Sequence, residues 1–479
     1  MIRGQMIPLP AFDQISVISD LHIGGVDGFQ IFGQGPLLAT LIDRLRQDSL
    51  SESVLVINGD MVDFLAEPDA KAFDPEGANR KLDRIFSDKN FTPVWEALRQ
   101  YVKTRNLVIT LGNHDLELAL PWVRQHLLGL LSGGDAAALS RITLAFDGSG
   151  FACTVGSSSV LCLHGNEVDT WNVTDYEAVR RIGCDLAHGR SVADWIPNAG
   201  TKLVIEVMNV IKREHAFIDL LKPEKEAAVR VLLVLKPDQR ANLRAVAEVA
   251  SRRVWDGVRR AMGWLSAGEE DDRAAEPDAL ARIVGRVETK VDTEKLLDHA
   301  ESLFRDTNAI DLVYGQQGQQ LGWWDALAAV IRQREPHEIA REAIKELVDD
   351  TSFNVGQTDA DFQRIDALAG PTYDIVVAGH THLARSLSRT EGRGRYFNSG
   401  TWASLMRLTP AQLQSAAAFK PVFETMRKAK TIADLGPLVW KRPTVVTVRK
   451  QGNQIEASLD EVTLKGKKLV LVPLKSSKA

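Results

Sequence analysis

Five apolar runs punctuate the chain, and each breaks off at polar residues. Residues 15–19 stop at Asp20, 54–58 at Gly59-Asp60, 107–111 at Gly112-Asn113, 160–163 at His164, and 375–378 at Gly379-His380. Short β-rich runs of this kind read as buried strands that deliver side chains at their carboxyl ends. Between the first two runs, Pro36 opens a stretch with Leu37, Leu38, Leu41, Ile42 and Leu45 at helical spacing. Proline suits a first helical turn. Strand, helix, strand is a βαβ unit, which implies a parallel pair in an α/β fold.

The same pattern extends along the chain. Residues 65–90 are polar and read as a long loop. A helix at about 92–104 leads into the third strand, and helical segments follow near 118–131. Residues 142–146 and 151–163 read as strands of a second sheet, with 164–172 looping over the strand ends. Helical spacing then dominates to about residue 350. Its clearest stretch places Leu243, Val246, Ala250, Val254, Val258, Ala261 and Leu265 three or four apart. Further helices are predicted at 279–287, 293–305 and 322–349, and 268–278 is an acidic linker. The α/β pattern resumes at 373–378, followed by a strand and turn at 396–402, a helix at 410–428 and a hairpin around Gly452-Asn453. The expected organisation is a first catalytic part at 1–190, an inserted helical cap domain at 191–365, and a second catalytic part at 366–479.

Composition narrows the class. The chain has 479 residues, 44% hydrophobic and 25% charged, as in soluble globular proteins. Its formal net charge of −5 gives no general basic signature for nucleic acid. Cys153, Cys162 and Cys184 are too few for a disulfide scaffold. The start lacks the apolar core of a secretory signal, and no uncharged apolar run approaches about 18 residues. A cytoplasmic protein without a transmembrane segment is expected. Peripheral contact with an anionic membrane stays open through Arg244, Arg252, Arg253, Arg259 and Arg260. The sequence carries no signature of oligomeric state.

The strand ends carry the candidate chemistry: Asp20 and His22, Asp60, Asn113 with His114 and Asp115, His164, and His380 with His382. In an extended chain residues i and i+2 point the same way, so Asp20/His22 and His380/His382 could each converge on one point. Singly, these are ordinary turn, cap or core residues. Together, each after an apolar strand, they read as one donor set. Imidazole, carboxylate and amide oxygen in combination suit Mn, Fe, Zn, Co or Ni, not an all-oxygen calcium cage. Other motifs carry less. His337-Glu338 through Arg341 lacks the second histidine of a zincin helix, so a surface helix is expected there. Gly24-Gly25 and Gly33-Gln34-Gly35 do not make a dinucleotide fingerprint, and no phosphate-loop lysine motif occurs. Trp255, Trp264, Trp323 and Trp324 read as helical core.

The order DxH, GD, GNHD, H, GHxH resembles the calcineurin-like metallophosphoesterase superfamily, through both parts that flank the middle of the chain. The resemblance implies a four-layer α/β/β/α sandwich interrupted by the helical insertion. It implies hydrolysis of phosphoric esters with two divalent metal ions, Mn ahead of Fe, Zn, Co or Ni. It assigns one ion to Asp20, His22, Asp60 and His382, and the other to Asp60, Asn113, His164 and His380, with Asp60 bridging. His114 would stand beside the scissile phosphate, with Asp115 orienting it. Two such ions, roughly 3.5–4 Å apart, activate water and neutralise charge in an in-line displacement at phosphorus.

Substrate choice lies in loops and insertions. Ser19 through Gly25, with an insertion between His164 and His380, is similar to the UDP-2,3-diacylglucosamine pyrophosphohydrolase branch. That branch usually has Arg where this chain has His114, and its insertion is shorter. The expected substrate is a small nucleotide-like or lipid-linked phosphodiester or pyrophosphate. Two alternatives are a DNA exonuclease branch sharing the ligand set, weakened by the acidic balance, and a partner-binding scaffold with a structural metal, weakened by His114.

Overall fold

A computed structural model of the chain describes residues 8–48, 52–169, 171–192, 195–221, 336–345 and 353–474. The helices expected at 243–265, 279–287 and 293–305, most of that at 322–349, the acidic linker, the arginine-rich face and the four tryptophans lie outside these residues.

The apolar runs form the centres of two sheets. One has seven strands in the order Lys468–Pro473, Gln454–Lys465, Thr444–Gln451, Gln14–Ile18, Ser53–Asn58, Asn106–Thr110 and Ile142–Ala145. Its last four strands are mutually parallel. The other has six, with Phe151–Val155, Ser158–Cys162, Ile375–Ala378 and Arg395–Asn398 in succession.

Alternation along each strand sorts side chains between two faces. Ile15, Val17, Val54 and Val56 pack against Cys153, Val160, Cys162 and Val377, so the sheets lie face to face. Ile18, Leu55 and Ile57 point the other way, onto Leu38, Leu41 and Ile42 of the helix Gly35–Gln47 and Val94 and Leu98 of Thr92–Tyr101. On the far side, Leu161, Val376 and Ala378 meet Phe362 and Ile365 of the helix Ala360–Ala369. Helix, sheet, sheet, helix is the expected four-layer order. Each fully buried Leu, Ile or Val contributes roughly 1.5–3 kcal/mol.

Several elements differ from expectation. Residues 65–90 hold a helix, Ala78–Ser87, whose Leu82, Ile85 and Phe86 are buried. Its apolar positions are spaced three and four apart but lie among so many charges that the stretch reads as loop. Ile142–Ala145 pairs in parallel with Asn106–Thr110, so it extends the first sheet and not the second. The helix expected at 410–428 is two, Pro410–Leu413 and Ala416–Lys428, because Ser415 caps the second by accepting from Ala418 N. The boundary expected at 365/366 falls inside Ala360–Ala369, whose apolar face seals the second sheet. His337 sits on the helix Pro336–Lys345, which docks Ala340 and Ile344 with Phe423 in one apolar cluster, as a surface helix would.

Candidate metal centre

All the sequence-selected donors lie past the carboxyl ends of parallel strands, on one edge of the sandwich. Strand Gln14–Ile18 leads to Asp20 and His22, Ser53–Asn58 to Asp60, Asn106–Thr110 to Asn113 and His114, Ser158–Cys162 to His164, and Ile375–Ala378 to His380 and His382. The backbone there is unusual. Six described non-glycine residues have positive φ: Asp20, His22, Asp60, Asp69, His380 and His382. Asp and His tolerate this region better than most residues, yet each such conformation costs of order 1 kcal/mol. Five of the six are candidate ligands, so the strain is concentrated where the donors are aimed.

Asp20, His22 and His382 form one group. His22 Nε2 and His382 Nε2 face each other at 3.1 Å, and His382 Nε2 is 3.3 Å from Asp20 Oδ1. Asp60, His164 and His380 form a second group. Asp60 Oδ2 lies 3.2 Å from His164 Nε2 and 3.6 Å from His22 Nε2, so one oxygen reaches both groups. The pair His380/His382 therefore does not converge on one point. Both have positive φ, and His382 lies in the first group and His380 in the second.

The rest of the site fits a cation. Asn113 is 4% exposed, and its Oδ1 accepts no hydrogen bond among the described residues. A buried amide oxygen without a donor is costly unless something positive meets it. His164 Nδ1 lies 2.8 Å from the carbonyl of Asn58, and His22 Nδ1 lies 3.0 Å from Asp63 Oδ2. Both contacts place the proton on Nδ1 and leave Nε2 as the donor, the usual orientation of a ligating histidine. Imidazole, carboxylate and amide oxygen together match a divalent transition metal.

The electrostatics agree. Burial would raise the Asp20 carboxyl, but the adjoining His382 holds it down to about 2. Burial opposes ionisation of Asp60 too, and His164, with His114 and His22, keeps it well below the usual range. For His164 burial favours the neutral ring, yet the Asp60 carboxylate outweighs it and lifts the imidazole to about 10. The site thus concentrates negative charge that its own histidines compensate.

Glycine is required at two places here. A Cβ on Gly59, at φ +80°, would overlap the His164 ring, and one on Gly112 would overlap the Asp60 carboxylate.

His114 forms a third such group with His22 and Asp63. Its Nδ1 lies 3.2 Å from Asp63 Oδ1, and its ring meets that of His22 edge-on with centroids 4.7 Å apart. Asp115 was expected to orient His114. Asp115 accepts from Gly112 N at 2.7 Å and Met61 N at 2.8 Å, so it ties two strand-end loops together. Burial and the charge of Asp60 push its carboxyl up to about 8. Asp63 takes the orienting place. Sequence reading missed it, although it lies three residues after Asp60. Asp169 was missed too: its Oδ2 is 2.8 Å from His380 Nε2, from within the loop expected over the site.

Residues 14–214 match the family described as calcineurin-like phosphoesterase. The match ends before His380 and His382, which the fold itself returns to the site. No curated protein matches the chain. Among the described residues no helix is long and apolar enough to cross a membrane. With five strand ends converging on three donor groups and residues 14–214 matching the family described as calcineurin-like phosphoesterase, the chain is a metal-dependent phosphoric ester hydrolase.

Proposed function

We propose that this chain hydrolyses a phosphodiester or pyrophosphate bond in a small nucleotide-like or lipid-linked substrate. Two divalent ions, Mn before the alternatives, would be held by Asp20, His22, Asp60 and His382 and by Asp60, Asn113, His164 and His380. When bound they supply Lewis acidity and an activated water for displacement at phosphorus.

The observation that carries this reading is the position of His114. It lines the same cleft as His22, and its Nδ1 lies 3.2 Å from Asp63 Oδ1. Held at Nδ1, the ring offers Nε2 to a proton at the leaving oxygen, a task that suits imidazole because its pKa lies near working pH.

Val204 and Met208 line the same cleft together with His22 and His114. Cys153, Cys162 and Cys184 are all free thiols, which suits the reduced conditions of a cytoplasm.

The test is hydrolysis of bis(4-nitrophenyl) phosphate by the full chain with Mn²⁺, compared with His114→Ala. The variant should lose about 10²–10⁴-fold in turnover, the usual worth of a general acid, while binding metal as before. Turnover like that of the unchanged protein would refute the role given to His114.

A further inference from the structure

The cleft above His22 and His114 is completed by residues outside the two sheets. Val204, Met208 and Lys212 line it from one short helical run, and Asp219 from the following turn. That run is irregular: Val204–Met208 form a π-helical turn between the α-helical pieces Ala199–Leu203 and Asn209–Ile211. π-turns re-aim the side chains beyond them and gather at functional sites.

The run is also fixed in place. Asn198 caps its start through Thr201 N at 2.7 Å, and Asn209 Nδ2 donates to the carbonyl of Leu65 at 2.8 Å. Leu203, Met208 and Ile211 share an apolar cluster with Phe419 and Phe423. Lys212 is therefore held over the cleft by packing.

Lys212 is the lysine or arginine among the described residues lining this cleft. Its side chain is only 12% exposed, and Nζ lies 3.4 Å from Asp219 Oδ2. Charge-assisted hydrogen bonds run at about 2.7–2.9 Å, so this contact is loose. A structural ion pair looks different here: Arg389 donates to Asp366 Oδ1 at 2.6 Å and also to the Gly370 carbonyl at 2.5 Å. A part-buried ammonium with one long contact keeps donors available for an anion.

We propose that Lys212 binds a second, non-reacting phosphate, or a comparable anionic group, next to the phosphorus that is attacked. Phe29, Ile31, Val204 and Met208 line the same cleft beside it. Asp219, 3.4 Å from the ammonium, competes with such an anion for it. This rests on the phosphohydrolase reading above and sharpens its substrate class: a diphosphate, or a diester carrying a further anion, in preference to a simple diester.

The test compares two nucleotides that differ by one phosphate. AMP and ADP are used as inhibitors of bis(4-nitrophenyl) phosphate hydrolysis by the holoenzyme at fixed free Mn²⁺. In the unchanged protein ADP should inhibit more strongly. Lys212→Met should weaken ADP inhibition by about tenfold or more, the worth of one charged hydrogen bond, and AMP inhibition by no more than about twofold. Lys212→Arg should restore part of the difference. Calorimetric binding of the same nucleotides repeats the comparison without turnover. Equal shifts for AMP and ADP, or none, overturn the proposal. If the unchanged protein hydrolyses nothing while ADP still binds through Lys212, the reaction is misassigned and the binding role stands. Should Lys212→Met not fold, Asp219→Asn serves instead. It frees the ammonium and should tighten ADP but not AMP, and an unchanged ADP constant overturns the proposal equally.

Discussion

Replacing Asp63 by alanine separates two histidines with different work. Asp63 is 4% exposed, with Oδ2 3.0 Å from His22 Nδ1 and Oδ1 3.2 Å from His114 Nδ1. His22 belongs to a donor group and His114 is assigned to the proton at the leaving oxygen. Losing the partner that orients a ligating histidine costs about 10–100-fold in metal affinity, which is about 1.4–2.8 kcal/mol. Losing the partner of His114 should cost part of its roughly 10²–10⁴-fold contribution to turnover. Asp63→Ala is therefore expected to show two deficits: weaker metal binding by calorimetric titration, and a lower kcat on an aryl phosphodiester that saturating metal does not restore. Asp63→Asn keeps one acceptor oxygen and should fall between. The decisive measurement is the double variant with His114→Ala. There the metal deficit of Asp63→Ala should persist and its kcat deficit should vanish, because groups acting as a unit are not additive. A kcat loss that multiplies fully with that of His114→Ala would refute the orienting role.

Two further predictions rest on the same site. His164, lifted to about 10 by Asp60 against the opposing effect of burial, must give up its proton to act as a donor. Metal binding near pH 7 should release protons and tighten as pH rises, read as a dependence of binding heat on buffer ionisation; a buffer-independent heat would count against the paired geometry. In the metal-free protein a raised folded pKa stabilises below the unfolded value of 6.5, and that gain is lost as pH climbs through about 10. Asp115, pushed up to about 8, acts in the same direction, so denaturation midpoints should fall between neutral and alkaline pH. Gly59→Ala places a methyl group in the His164 ring. It should abolish metal binding at the second group, measured as bound metal per chain, and full metal content would show that the ring can move aside.

By itself the sequence determined what is local or periodic. Apolar runs ending in Asp, Asn or His marked the central strands and their functional ends, because a buried strand tolerates polar groups only where it stops. Helical spacing found Gly35–Gln47 and Thr92–Tyr101. It missed Ala78–Ser87, where charged neighbours mask three buried side chains. Only tertiary structure decided the pairing. Ile142–Ala145 could have joined either sheet, since an edge strand has the same composition in both. His380 and His382 both have positive φ, invisible to a reading that assumes extended chain, and that pair lies in two groups. The partner of His114 was a matter of distance across the site: Asp115 is its neighbour in sequence, but both its oxygens are taken by backbone N–H groups, and Asp63 faces the ring instead. Lys212 carried no motif at all, because a lysine on a helical run is commonplace until the fold lays that run over the donors. Chain order fixes which groups are available, and side-chain direction in three dimensions fixes which of them meet.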